Sequence, residues 1–165
     1  MTGARMIATL GGIGLLRPAP GTWGAAAALP LAWALHLLGG PWLLIAVTGI
    51  AALAGVRAIP RAVGPGEDPD RPEFVIDELA GQWIALWPVS LGAWGTGADV
   101  LALWPGIVAA FVLFRLFDIA KPGPVDRADR RKDAVGVMLD DVIAGLFAAV
   151  GVVILAAIGH GVMLL

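Results

Sequence analysis

Four acids arranged as two adjacent pairs are the most chemically loaded residues in this chain. Asp77-Glu78 precedes Leu79-Ala80-Gly81, and Asp140-Asp141 precedes Val142-Ile143-Ala144-Gly145. Each pair stands at the expected mouth of an apolar helix, with a small residue one turn further in. Acids at a helix start can serve only to cap free N–H groups and to complement the macrodipole. Two pairs at one depth ask for more, because four carboxylates at a single surface repel unless a cation joins them. Hard oxygen ligands suit Mg²⁺, which keeps several waters and takes carboxylates together with phosphate oxygens. Asp77, Glu78, Asp140 and Asp141 are therefore candidate metal ligands and catalytic residues. Gly81 and Gly145 would let two helices approach closely enough to unite them.

A second constellation is Arg115-Leu116-Phe117-Asp118-Ile119-Ala120-Lys121-Pro122. Spacings of three and six put Arg115, Asp118 and Lys121 on one side of a helix that Pro122 ends. Snorkelling at a membrane edge accounts for Lys121. It accounts less well for Arg115, one turn from apolar Phe111–Phe114, where an unpaired charge is costly. A guanidinium facing carboxylates is suited to gripping phosphate in a bidentate fork. Pro20-Gly21-Thr22-Trp23-Gly24 reads as a turn ahead of the first apolar helix, where glycine allows close approach and free N–H groups attract anions. Gly21, Thr22, Arg115, Asp118 and Lys121 are thus candidate substrate-binding residues, with Lys121 also a catalytic candidate.

The elements that must position these residues follow from composition. Apolar residues make up 59% of the 165 and charged residues 15%, against roughly 45–50% and about 25% in an ordinary soluble domain. The net charge of −2 offers no basic patch for nucleic acid. The absence of cysteine removes disulfides, thiolate metal sites and thiol nucleophiles. Gly24–Val56, Leu79–Ala98, Val100–Phe114 and Val142–Leu165 contain no Asp, Glu, Lys or Arg. A helical span needs about 20 apolar residues. Gly24–Val56 is too long for one pass and breaks at Gly39-Gly40-Pro41, with Pro30 a possible true start. The stretch from Leu79 to Phe117 breaks at Gly92–Asp99. The expectation is a single all-α domain over residues 1–165: a polytopic membrane bundle of about five short passes, near 15 residues each, broken by Gly/Pro turns. All three basic stretches then lie on one face, which the retention of Lys and Arg makes the cytosolic one.

Smaller features fit this frame. Met6–Leu16 reads as a glycine-broken helix rather than a cleavable signal. Gly64–Pro72 is too rich in proline for a helix and is expected as a surface loop. Trp42, Trp87 and Trp104 are expected as interfacial anchors. His36 and His160 point toward the far side and take no catalytic part. A divalent-cation site, phosphate-gripping cations and a glycine turn on one face suit phosphoryl chemistry on a lipid headgroup. The rival is a small cation carrier or channel subunit, which would need polar residues deep in the spans. Thr48, His36, Gln82 and Ser90 are few and scattered for that. A non-catalytic scaffold leaves the paired acids without a reason.

Four blocks carry a resemblance: Pro20-Gly21-Thr22-Trp23-Gly24, Phe74-Val75-Ile76-Asp77-Glu78-Leu79-Ala80-Gly81, Phe114-Arg115-Leu116-Phe117-Asp118-Ile119-Ala120-Lys121-Pro122-Gly123-Pro124 and Gly136-Val137-Met138-Leu139-Asp140-Asp141-Val142-Ile143-Ala144-Gly145. In order and approximate spacing they resemble the motifs of the phosphatidylglycerophosphatase A family. The chain departs from them at Ala25, where the family usually has serine, and at Ala134-Val135, where it favours Gly-Gly. The resemblance implies a Mg²⁺-dependent enzyme of the bacterial inner membrane. It would hydrolyse the terminal phosphomonoester of phosphatidylglycerophosphate to phosphatidylglycerol and phosphate, with its active site facing the cytosol. The motif of the CDP-alcohol phosphatidyl transferases, Asp-x-x-Asp-Gly-x-x-Ala-Arg, is absent.

Overall fold

The protein, seen as a computed structural model, is described over residues 1–64 and 66–159, with its last helix continuing to Met163. The side chain of His160, and the end of the span expected to reach Leu165, lie outside the described residues. The described residues form helices and no strand: α1 (Gly3–Ala8), α2 (Pro20–Ala62), α3 (Ile76–Thr96), α4 (Trp104–Ala120), α5 (Pro124–Asp129) and α6 (Ala134–Met163), with 3₁₀ turns at Leu10–Leu15 and Val100–Leu103. The all-α expectation holds. Among the described residues, Pro20–Ala62, Val100–Ala120 and Ala134–Gly159 are long and apolar enough to cross a membrane.

Element α2 is a hairpin of two arms. Gly39 and Gly40 leave helical geometry, Gly40 at φ 63° and ψ −159°, a conformation that a Cβ would oppose. Contacts along α3 trace the reversal. On the first arm, Ala28 accepts a hydrogen bond from Trp83 Nε1 (2.9 Å), His36 Nδ1 and Ser90 Oγ share one of 2.7 Å, and Gly40 abuts Trp94. On the second arm, Thr48 accepts from Trp87 Nε1 at 3.3 Å, and Gly55 abuts Ile76. The chain therefore climbs α3 and descends it again.

Helix α3 is the axis of the bundle. Its Leu79, Trp83, Leu86 and Val89 are buried against the α2 arms, α4 and α6. Its 21 residues span about 30 Å at 1.5 Å each, the thickness of a hydrocarbon core. Helices α3 and α6 meet at Gly81 and Gly145. A Cβ on Gly145 would overlap the Gly81 carbonyl oxygen, and one on Gly81 would fall 2.6 Å from the Asp141 carbonyl oxygen. Two small residues let the backbones touch.

Several sequence expectations are corrected. The helices are longer than near 15 residues. Helix α2 starts at Pro20 and runs through Pro30, so Gly21-Thr22-Trp23 is a first helical turn and not a preceding loop. Helix α6 starts at Ala134, where Asp133 Oδ1 accepts from the Gly136 N–H at 2.7 Å, a side-chain cap that starts the helix there. Asp140-Asp141 accordingly sits two turns inside α6 instead of at its mouth. Trp87 is no anchor, since its indole packs inward on Thr48. The exposed tryptophans of the far end are Trp42 (65%), Trp94 (59%) and Trp104 (64%), placed as an interfacial belt would be. Outward-facing Leu53, Val112, Val150 and Ile154 give the flanks the apolar surface of a membrane protein. The charged segments gather at the other end. There Lys132 lies 3.8 Å from Asp70, Arg5 lies 3.5 Å from Glu73, and the Val75 N–H donates to the Ala8 carbonyl at 2.8 Å.

The backbone contact predicts that Gly145→Val lowers stability by roughly 1–3 kcal/mol through overpacking. Gly49→Ala, at a helical glycine with open space around its missing Cβ, leaves it unchanged or slightly higher. Thermal melts of the two variants in the same detergent check the difference.

Candidate active site

The Gly81–Gly145 contact sets what the acid pairs can reach. Asp77 and Glu78 occupy the first turn of α3, and Asp141 lies one turn before Gly145 on α6. Carboxylate oxygens of Asp77, Glu78 and Asp141 come within 4.8 Å of one another. Asp77 and Asp141 are buried, and Glu78 Oε2 is buried without a hydrogen-bond partner among the described residues. Opposed oxygens around a Mg²⁺ stand about 4.2 Å apart, twice the 2.1 Å bond length. Adjacent ones stand about 3 Å apart, and at most one pair of three can be opposed, so an ion held here would draw the carboxylates inward. The donor set, all hard oxygens, matches it.

Asp140 faces elsewhere. Its Oδ1 accepts from the Asp141 N–H at 3.0 Å, and its Oδ2 accepts from Lys121 Nζ at 3.0 Å. Lys121 also donates to Asp129, a residue that sequence reasoning missed. Asp129 is one acid among many in a charged segment, and only the fold of short α5 against α6 turns it inward. Burial works against the Lys121 charge, but the hydrogen bonds to Asp129 and Asp140 outweigh it and hold its pKa above the ordinary lysine value. Lys121 is itself at φ 45°, as the left-handed residue that closes α4. That bend aims its side chain back toward α6.

Arg115 pairs with Asp118 one turn along α4. Nη1 is the nitrogen that faces Asp118, and Nε is buried with no hydrogen-bond acceptor among the described residues. Asp118 is in turn close enough to Asp141 to interact with it. Gly21 fits between these groups: a Cβ there would fall on Glu78 Oε1 and 3.1 Å from Arg115 Nη1. Thr22 is half-buried in the same turn, but the N–H groups of Thr22 and Trp23 already donate to the Ala19 carbonyl, so they are not free to hold an anion. Asp77, Glu78, Asp118, Lys121, Asp140 and Asp141 line a cavity of about 520 Å³, part of it open to solvent, with Asp70 and Lys132 at its rim.

The structure thus gathers every candidate residue at one end of the bundle, with three acids converging and the fourth paired to Lys121. A second cavity, apolar and lined by Leu29, Trp33, His36, Leu86 and Ile107, lies further along α3 and contains no carboxylate. The polar path a cation carrier needs is not supported. Thr48 donates to its own helix at Leu44 (2.7 Å), and His36 is paired with Ser90.

Known proteins resemble this chain over most of its length. The family model described as phosphatidylglycerophosphatase A matches residues 6–156. The chain is 35% identical over 141 residues to the phosphatidylglycerophosphatase A of Haemophilus influenzae, covering 84% of this chain and 80% of that one. It is 32% identical over 151 residues to the protein of the same name from Escherichia coli, covering 90% and 79%. It is also 37% identical over 148 residues to a Bacteroides thetaiotaomicron protein provisionally named a phosphatidylinositol-3-phosphatase, covering 87% of each. No solved structure matches.

The Lys121 bridge yields a stability prediction. A raised lysine pKa contributes stability that is fully present below the unfolded value and is lost as pH rises through the folded one. Lys121→Met should therefore lower stability at neutral pH by about 1–2 kcal/mol, the lower part of the range because the side chain is a third exposed. The gap to the unsubstituted protein should persist to pH 10 and close only above the ordinary lysine range. Melts from pH 7 to 11 measure it.

Proposed function

The chain belongs to the phosphatidylglycerophosphatase A family, and from that premise we propose that it is a Mg²⁺-dependent lipid phosphatase. Its substrate is phosphatidylglycerophosphate and its products are phosphatidylglycerol and inorganic phosphate. The observation that carries this reading is the convergence of Asp77, Glu78 and Asp141 from two helices onto one buried point. Three carboxylates brought that close are stable together when a cation offsets their repulsion.

Asp77, Glu78 and Asp141 would hold the ion, which when bound supplies Lewis-acid charge to the phosphoryl oxygens. Arg115 grips the phosphate, its Nε having no acceptor of its own and its Nη1 facing Asp118. Asp118 keeps the guanidinium turned toward the acids. Lys121, fixed by Asp129 and Asp140, adds a second positive charge at the pocket wall. Charge developing on the transferred phosphoryl group thus meets groups already in place, where preorganised electrostatics are most effective. A water oxygen, or a carboxylate oxygen in a first step, forms the new bond to phosphorus while the bond to the headgroup oxygen breaks, and the alcohol departs with a proton.

The two arms of α2 with α3, α4 and α6 make five crossings in this reading, with the charged end in the cytosol of a bacterium and the inner membrane as host. The acyl chains stay in the bilayer while the headgroup reaches the pocket.

Purified protein in vesicles should release phosphate from phosphatidylglycerophosphate with Mg²⁺ and lose that activity on chelation. Asp77→Asn and Asp141→Asn should each reduce the rate at least about 100-fold while melting normally. Full activity in both ends the metal-site reading. Phosphatidylinositol 3-phosphate assayed alongside separates this headgroup choice from the one in the Bacteroides relative's name.

A further inference from the structure

Gln82 is fully buried, and neither its Oε1 nor its Nε2 has a hydrogen-bond partner among the described residues. Thr48, His36 and Ser90, the other polar side chains singled out within the spans, are all paired. A buried amide with both ends unmet is unfavourable, and native proteins keep few of them without a use.

Its place along α3 indicates the use. Trp83 faces Ala28 on the first arm of α2, and Gly81 faces Phe114 and Asp141. Gln82 projects between those directions, on the face it shares with Glu78 one turn earlier and Val89 two turns later. Val89 meets α4 at Gly106. That face looks into the seam between the first arm of α2 and α4, whose mouth is formed by Gly21, Glu78 and Arg115. Side chains on a helix lean toward its N-terminus, so the amide leans toward the mouth. Two other buried atoms without a hydrogen-bond partner among the described residues, Glu78 Oε2 and Arg115 Nε, are at that mouth. Gly21, lacking a side chain, lets Glu78 and Arg115 close up against α2 there.

Resting on the phosphatase reading above, we propose that Gln82 is a specificity-determining residue that recognises the free hydroxyl of the headgroup alcohol beside the scissile phosphate. A hydroxyl both donates and accepts, and so does a carboxamide: the hydroxyl gives its proton to Oε1 and takes one from Nε2. With phosphate on Arg115, the carbon next to the ester carries its hydroxyl inward to the seam. A lipid phosphomonoester lacking that hydroxyl leaves the amide unmet and is the poorer substrate.

The test compares phosphatidylglycerophosphate with the analogue whose central headgroup hydroxyl is replaced by hydrogen, for the full-length protein and for Gln82→Met, which keeps the length and removes the amide. The unsubstituted protein should favour the hydroxylated lipid by about tenfold in kcat/KM, the worth of one well-made hydrogen bond. In Gln82→Met the preference should fall toward one, through loss on the hydroxylated lipid alone. Removing an unmet buried amide should leave the melting temperature equal or higher. Equal use of both lipids by the unsubstituted protein, an unchanged preference in the variant, a matched loss on both lipids or a lowered melting temperature each overturn the assignment. Failure of the unsubstituted protein to release phosphate from either lipid instead overturns the phosphatase reading, and the melting comparison distinguishes the two failures.

Discussion

The contact of Gly81 with Gly145 is the constraint on which the site depends. Electrostatics alone would drive the acid pairs of α3 and α6 apart, since like charges in a poorly solvated setting repel strongly. What brings them together is packing of two backbones at a distance no larger residue permits. Association of helices in lipid relies on such close packing, the hydrophobic drive between them being absent. Repulsion is thereby built into the resting fold, and the fold offsets part of it locally. Asp140 is neutralised by Lys121, and Asp118 by Arg115. The other three acids of the site, Asp77, Glu78 and Asp141, form no ion pair with a cationic side chain among the described residues.

Much of this was legible in the chain itself. Paired acids followed by glycine, and cations spaced by three and six, are local patterns whose chemistry needs no tertiary information. The membrane character followed from uncharged stretches, and the α2 reversal from Gly39-Gly40-Pro41. The start of α6 was misplaced because apolar patterning marks where a helix enters lipid, not where it begins; the cap at Asp133 lies before the apolar stretch. Pro30 misled for a related reason, since neighbouring helices in a membrane can support a helix through a proline. The division of labour between Asp140 and Asp141 was not legible at all. Adjacent residues on a helix point about 100° apart, so only the neighbours of α6 decide which acid joins Asp77 and Glu78 and which meets Lys121.

The molecule also sorts its polar groups by depth. Charge other than Asp99 gathers at one end, tryptophans ring the other, and the polar side chains between them are mostly paired within or between helices. This matches a solvent that is water at both ends and hydrocarbon in between, where each unmet backbone or side-chain group is costly. Arg115 and Gln82 stand out against that order.

The axial position of α3 bears on biogenesis. This helix leaves the ribosome after the α2 hairpin but before α4 and α6, and it brings Asp77, Glu78 and Gln82 with it. A nascent chain stalled at that stage would expose those groups to lipid or to the insertion machinery, with only one flank covered. The chemistry of the enzyme and the hazard of its assembly therefore reside in the same helix. Truncations upstream of Ala134 would yield species recognised by membrane quality control, not slower enzymes.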